Sequence, residues 1–567
     1  MRAPRRSDLR VGAAIALFWA AAPTLGHAAD TLPDLSACQP LAACIAMLDR
    51  VVPAEDTGAL PRGADAAATQ LSRFGEPAKV ELLKRAQGSQ PGWRNYAGAI
   101  LANWPTWSDQ DVPALSAALA LDHGGWIARS LAALGDDRAI DALIADLPDA
   151  GTESQTGWAL IQLAPKSLTK LLPLLELDTQ NPRGSAALGV ITNSKDRARP
   201  LVPVWTAIAA DKAQPPERRL AALRALRAAA SVAVDAGAAL RPLLTDPTPT
   251  IAAETRETLL ALGDPAVATE AVSACVPSDQ RFSAPDMPDG SYCLLKLTRF
   301  RGSPTVIGPR LLEFTNSHNG AEAALAIGVI AQVGYQPAEP RLIAALNSPD
   351  WRVTYAAAAA LGVLGLSDAI PALEGTSRTH WLPEVRRQAQ QSLDAIRSGV
   401  RLQPKTPWQL INNDISDIVT EDEAKHPCKT WLWRGQSISP PLTVLRSVQL
   451  KTGTLTATDH GEWGGGLDWS PSSGTSQPLL KDNVSALVPI EGGALALAGL
   501  AHMSFNYGYV VRARQTTTGW DVQEIARLPG RFSAISAIAP DIYAAWSFRR
   551  VVIFSEHGIL GLAECER

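Results

Sequence analysis

The sequence predicts an α+β multidomain protein: an all-α solenoid of helical repeats, followed by an all-β domain built as a partial or small propeller or a sandwich. Three observations predict it. A leucine column recurs at intervals of about thirty residues through most of the chain. Glycine-led turns before alanine punctuate that column. Beyond about residue 400 the helical period fades into short β-compatible runs separated by turn residues. The 567 residues exceed one ordinary core, so several domains are expected. A hydrophobic share of 46 % and a charged share of 19 % describe a globular chain. The formal net charge of −4 gives no general pull toward nucleic acid or anionic lipid, and no nucleic-acid partner is expected.

The N-terminus reads as a signal peptide over residues 1–28. Arg2, Arg5, Arg6 and Arg10 form a basic region, Val11 to Ala22 is a short apolar stretch, and small residues lead to cleavage after Ala28 or Ala29. The apolar stretch is too short for a stable membrane span. Arg5-Arg6 partly matches a twin-arginine signal, but Asp8 sits where that pattern prefers an apolar residue. The general secretory route is therefore preferred, and the mature protein is expected in the periplasm or secreted. Leu35 to Cys38 and Leu41 to Cys44 look like lipidation boxes. Asp30, Pro33 and Asp34 separate them from the apolar stretch, so a disulfide loop in an N-terminal segment, residues 29–57, is the preferred reading.

Six cysteines in an exported chain suggest disulfides. The simplest pairing joins neighbours: Cys38 with Cys44, Cys275 with Cys293, and Cys428 with Cys565. No Cys-x-x-Cys occurs and His426 beside Cys428 is an isolated pair, so neither metal nor cofactor is expected.

The repeat region spans residues 58–398. Its column holds Leu82, Leu115, Leu143, Leu171, Leu201, Leu243, Leu311, Leu342 and Leu373, with Val272 filling one long gap. Gly75, Gly135, Gly263, Gly334 and Gly365 end one helix just before the next begins. In "WIARSLAALG", Ile127, Leu131 and Leu134 share a face. "VTYAAAAALGVLG" is small and apolar nearly all round, so neighbouring units must cover it. Gly92-Trp93, Gly125-Trp126 and Gly157-Trp158 open successive first helices. Glycine is read as starting or capping the helix, and Trp as a wedge between units; an aromatic row for sugar or peptide stacking is the competing reading.

"LAALGDDRAIDALIADL" and "YAAAAALGVLGLSDAIPAL" resemble the HEAT-repeat superfamily, in particular the PBS-lyase HEAT-like repeats. The resemblance implies a curved scaffold that binds a protein or peptide. The Arg that usually closes the inter-repeat turn is often missing, though Arg352 and Arg386 keep it. Some relatives act on bilins, and no residue here supports that transfer. A Pro-, Asp- and Ser-rich stretch, Val276 to Cys293, reads as a loop inserted between repeats.

Residues 399–427 read as a linker, acidic over Asn412 to His426, and residues 428–567 as the β-rich domain. "VSALVPIEGGALALAGL…GYVVRARQTTTGWDVQEIARLPG" and "ISAIAPDIYAAWSFRRVVIFSEHG" look like two copies of one sheet unit, similar to blades of periplasmic β-propellers. A Cys428–Cys565 bond would tie the first strand to the last.

Two candidate sites follow. Lys170, Arg199, Arg241, Arg310 and Arg341 lie on or just before the leucine column and could face an acidic partner. In "TATDHGEWGGGLDW", Asp459, His460 and Glu462, with Asp468, Trp463 and Trp469, could suit acid–base work on a sugar. No nucleophile elbow, zinc-protease motif or phosphate-binding loop occurs. A soluble protein-binding scaffold, more a binder than an enzyme, is the leading expectation. An envelope-glycan hydrolase is the alternative.

Overall fold

The computed structural model describes residues 31–55, 61–121, 125–176, 181–277, 289–406, 409, 428, 430–502, 505–547 and 550–566. The signal segment 1–28, the centre of the expected inserted loop and the acidic stretch 412–426 lie outside the described residues. The chain divides into two compact units, 1–264 and 265–567, and the division falls inside the expected helical array.

In the first unit short helices follow one another in pairs. First helices Ala64–Ser72, Pro91–Leu101, Ile127–Leu134, Gln155–Gln162, Pro182–Ser194, Pro216–Ala228 and Pro249–Leu262 each touch the next in the series. Second helices Glu76–Ala86, Val112–Leu119, Asp137–Ala150 and Lys166–Leu171 do the same. This is a two-layer stack in which every repeat is covered by its neighbours. Leu82, Leu115, Leu143 and Leu171 are fully buried, as the column requires. Leu201 is only half-buried, because Lys195–Leu201 is a 3-10 run whose tighter turn shifts the phase; Ala198 is fully buried there instead.

Small residues let first helices approach closely, and buried hydroxyls use that closeness. Ser130 Oγ donates to the Leu101 carbonyl at 3.0 Å, and Thr258 Oγ1 to the Leu223 carbonyl at 3.2 Å. Each bond reaches from one first helix to the backbone of the preceding one. In the second unit Ser392 Oγ donates to the Ala358 carbonyl at 2.8 Å in the same way.

The N-terminal segment is tied down rather than trailing. Cys38 and Cys44 are bonded, the latter on helix Leu41–Asp49. The Arg73 guanidinium collects the carbonyls of Leu35, Ser36 and Cys38, and Gln70 bonds both Leu35 N and Asp34.

The second unit continues the helices: Pro265–Ser273, Asp289–Leu297, Pro304–Phe314, Gly320–Val333, Glu339–Ala345, Trp351–Leu364, Ile370–Thr379 and Pro383–Ser398. Val272, Leu311, Leu342 and Leu373 are buried. Cys293, bonded to Cys275, lies on Asp289–Leu297, so the expected inserted loop ends in a helix.

Its β region starts with β1 (Thr430–Trp433) and β2 (Gln436–Ile438). There follow β3 (Ser447–Leu450), β4 (Gly453–Asp459), β5 (Gly465–Pro471) and β6 (Gln477–Leu480). Next are β7 (Val484–Ile490), β8 (Gly493–His502), β9 (Phe505–Thr516) and β10 (Gly519–Leu528). The chain closes with β11 (Ala534–Ala539), β12 (Ile542–Trp546), β13 (Val551–Ser555), β14 (Gly558–Leu562) and β15 (Glu564–Glu566). Among the described residues β3–β6, β7–β10 and β11–β14 form antiparallel meanders, and the fourth sheet has the order β15-β1-β2. The last strand therefore pairs with the first, Trp431 opposite Cys565, and Cys565 is bonded to Cys428. Consecutive sheets pack face to face. Leu455, Leu467 and Trp469 meet Leu487, Ala496 and Tyr509. Leu495, Leu497 and Val510 meet Tyr543, Val552 and Phe554. Sheet β7–β10 is covered on both faces, which explains the unbroken apolar run of β8. The β region is thus four small antiparallel sheets, with its last described strand paired to its first.

Within this unit the last helices and the β region share polar and apolar contacts. Trp381 packs against the cluster around Phe554, and Arg550 is ion-paired with Glu384. Asp350, at the start of Trp351–Leu364, holds Arg352 through bonds of 3.0 and 2.6 Å. Gly320 makes room for the pair: a Cβ there would fall 1.7 Å from Asp350 Oδ2. Glu524 and Arg527 of β10, bonded at 2.8 Å, lie close enough to act on this pair electrostatically. Burial, with the Asp350 charge, holds Glu524 above the usual carboxylate range; Arg527 and Arg352 pull the other way.

Candidate functional site

The three Gly-Trp pairs do not serve one purpose. Gly92 is the second residue of its helix, where a Cβ would fall 1.9 Å from the Pro53 carbonyl oxygen; Gly157 faces the Thr152 carbonyl oxygen at 2.1 Å. Close backbone approach, not capping, demands glycine there. Trp93 is buried, with Nε1 donating to Asp49 at 3.0 Å and Arg85 over its ring at 4.2 Å. Its polar and cationic partners thus come from helix Leu41–Asp49 of the N-terminal segment and from helix Glu76–Ala86. Trp126 is half-buried, and Trp158 is 55 % exposed, so the wedge reading fails at Trp158.

Trp158 instead borders an open groove of about 540 Å³ between successive repeats. Thr152 and Glu153 come from the loop before Gln155–Gln162; Trp158, Ile161 and Gln162 come from that helix; Asn193 to Arg197 come from the end of Pro182–Ser194 and the 3-10 run. Two glycines shape it around Thr152: Gly157 admits its carbonyl, and Gly189 admits its side chain, where a Cβ would sit 2.4 Å from Cγ2. Lys195 holds φ at +47°, a backbone conformation that side chains rarely adopt, which bends the chain along the rim. Arg197 donates to the Ile161 carbonyl at 2.9 Å and ties the two walls together. Among the described residues Glu153 and Lys195 enter no ion pair. The groove thus offers an indole, an aliphatic wall, two amides and two opposite charges. Sequence reasoning missed it; Trp158 and Gln162, one helical turn apart, were its only signal.

The cation column is spent locally. Lys170 pairs with Asp141 at 2.7 Å, Arg199 with Asp196 at 2.9 Å and Arg241 with Asp264 at 2.6 Å. Arg310 pairs with Glu313 and also donates to the Cys275 carbonyl at 3.0 Å; Arg341 donates to Thr315 Oγ1 and its carbonyl at 2.9 and 3.0 Å. Arg310 and Arg341 therefore satisfy carbonyls at the end of the preceding second helix, where a cation is favoured.

In the β region Asp459 is the last residue of β4, and His460 and Glu462 lie on the turn between β4 and β5. Asp459 is nearly buried and pairs with Arg531 at 2.5 Å. Glu462 Oε2 lies 2.9 Å from His502 Nε2. The His460 backbone donates to Asn483 Oδ1 at 3.1 Å, and Asn483 Nδ2 donates to the Gly461 carbonyl at 2.7 Å. Both carboxylates are thus committed to cationic or imidazole partners. Asp468 lies on β5 rather than on the turn, and Trp469 is buried against Trp520. Behind the turn Asp482 accepts from Tyr507 at 2.8 Å and Tyr509 at 2.6 Å. Burial holds Asp482 above the usual carboxylate range against those bonds and Arg527.

The family model described as HEAT repeats matches residues 308–394. No curated protein matches the chain. Among solved structures, an engineered protein shares 18 % identity and covers 64 % of this chain and 97 % of its own, with a TM-score of 0.25. A Kap121p mutant shares 13 % identity at a TM-score of 0.28, covering 71 % of this chain and 55 % of its own, so the chain spans about half of that protein. Human deoxyhypusine hydroxylase in complex with glycerol shares 16 % identity at a TM-score of 0.18, covering 51 % and 96 %. Within the helical region residues 308–394 match HEAT repeats, and an antiparallel β region follows the helices.

Proposed function

We propose that this chain is an exported scaffold that holds a protein or peptide partner on its helical repeats, with the β region as a capping or second-site module. The groove at Trp158 carries this reading. It combines an exposed indole with amide groups and charges that have no partner of their own, a mixture suited to a polypeptide's backbone and side chains. The cations of the leucine column stabilise the array, and partner capture belongs to the groove. Export rests on the basic and apolar leader and on the disulfides, which persist in oxidising compartments. The mature chain then runs from the stapled segment 29–57 through the array 58–398 and the linker 399–427 to the β region 428–567. Among the described residues no helix is long and apolar enough to cross a membrane.

The test places a photo-crosslinking phenylalanine at Gln162 in the full chain, expressed in its native host. A discrete, protease-sensitive adduct that disappears in the Trp158→Ala background supports the reading. No adduct, or the same adduct from a control site at Val80, refutes it. Release of sugars from envelope glycan, abolished by Asp459→Asn with Glu462→Gln, would favour a hydrolase instead.

A further inference from the structure

We propose that the turn Gly461–Trp463 is a carbohydrate-binding site: the Trp463 indole stacks on one face of a pyranose, and Glu462 and His502 engage its hydroxyls. The site is separate from the groove at Trp158 and does not depend on it.

Trp463 is 84 % exposed. A slack loop would fold so large an apolar ring onto the protein. Here the turn is braced from several directions. Asn483 bonds the backbone of both His460 and Gly461. Asp459, fixed by Arg531, accepts from the Gly461 amide at 3.1 Å, and the His460 amide donates to the Gly464 carbonyl at 2.9 Å. His502, at the end of β8, holds Glu462 from the neighbouring sheet. The backbone that carries the indole is therefore fixed, which lowers the ordering cost of binding. Space is open beside it: Gly461 and Gly464, at φ +63° and +85°, have no heavy atom within 4 Å of a built Cβ.

The composition of the turn selects the ligand. Of the exposed large apolar side chains, Trp463 alone lies on this turn; Leu442, Leu445 and Leu560 belong to other segments. A lipid surface or a protein hot spot calls for a cluster of apolar groups that excludes water. A pyranose calls for one flat apolar face to meet its C–H groups and a rim of donors and acceptors for its hydroxyls. The indole supplies the first, and the Glu462 carboxylate with the His502 imidazole supplies the second. Asp459 is committed to Arg531 and the Gly461 amide, which leaves Glu462 as the one carboxylate offered beside the indole, whereas glycoside cleavage uses two; the role proposed is therefore binding, not cleavage.

The test uses the full chain labelled with 5-fluorotryptophan, the Trp463 resonance being assigned with Trp463→Phe. The probes are soluble hexaoses of β-1,4-glucose, α-1,4-glucose and β-1,4-N-acetylglucosamine, with calorimetry alongside. The expected result is that at least one hexaose shifts the Trp463 resonance and binds without being shortened. Trp463→Ala should weaken that binding about tenfold or more, and Glu462→Gln with His502→Ala about threefold, with the other fluorine resonances unmoved. The proposal is overturned if none of the three hexaoses shifts the resonance, or if Trp463→Ala binds as tightly. It is equally overturned if the resonance responds instead to phosphatidylglycerol vesicles or to raised protein concentration.

Discussion

The helical repeats and the β region solve the same problem, hiding apolar surface, over different lengths of chain. In the repeats many cross-element bonds reach only to an adjacent unit, backward as in Ser130 to Leu101, Lys170 to Asp141, Arg341 to Thr315 and Ser392 to Ala358, or forward as in Arg219 to Asp246. In the β region the decisive bonds reach far. Arg531 meets Asp459 across 72 residues, and Cys428 meets Cys565 across 137. Damage to the array should therefore stay local, while damage to the closure of the sheets should be felt throughout them.

The largest test opens that closure. By the chain-entropy account of cross-links, removing Cys428–Cys565 as a double serine variant should lower stability by about 5 kcal/mol, against about 2 kcal/mol for Cys38–Cys44, whose loop is short. Guanidinium titration of both variants checks the ratio; equal losses would erase the contrast. Next is Leu131→Ala, a fully buried side chain, expected to cost about 3 kcal/mol. Hydrogen exchange should then rise on Pro91–Leu101, Ile127–Leu134 and Gln155–Gln162 and little elsewhere in that unit. Gly157→Ala should cost about 2 kcal/mol, since its Cβ would press on the Thr152 carbonyl; it should also deform the groove, visible as loss of the Gln162 adduct.

Acid provides a smaller handle. Burial, helped by Arg386, pushes His380 down to about 4, and the Leu382 amide donates to its Nδ1 at 3.1 Å. The folded state thus binds fewer protons than the unfolded state, whose histidine titrates near 6.5. Stability from the neutral ring is present above pH ~6.5 and is lost as pH falls toward 4, by about 3 kcal/mol for a fully buried ring and about 2 kcal/mol once solvent screening of this part-exposed ring is allowed for. Urea midpoints at pH 7 and 4.5 should show this loss for the wild type and much less of it for His380→Asn. Smallest of all is Trp158→Ala, an exposed site, which should move stability by no more than about 0.5 kcal/mol while abolishing capture at the groove.

The array was legible because its signal is periodic. Leucines spaced by one repeat, and glycines such as Gly365 at helix ends, report local geometry directly. The sheets were half legible. β13 is dense with strand formers, but β8 is built mostly of Ala, Leu and Gly, β5 carries Gly465, Gly466 and Asp468, and β2 and β15 are three residues each. Gly465 is required because a Cβ would fall 2.3 Å from the Thr458 carbonyl oxygen, a constraint that only pairing reveals. The sites were least legible. Trp93 and Trp158 follow glycine identically, yet the stapled segment covers one and leaves the other in water. Nor does the sequence near Asp459 announce Arg531.

One ion pair between the last helix and the sheets has a mechanical meaning. Asp350 with Arg352 and Glu524 with Arg527 are each paired within their own segment, but Glu384 of Pro383–Ser398 and Arg550, which precedes β13, pair across the joint where water screens little. Pulling that helix from the sheets would strip both ions of their counterpart. In a pulling experiment the last helix should therefore hold to β13 longer in the wild type than in Glu384→Gln.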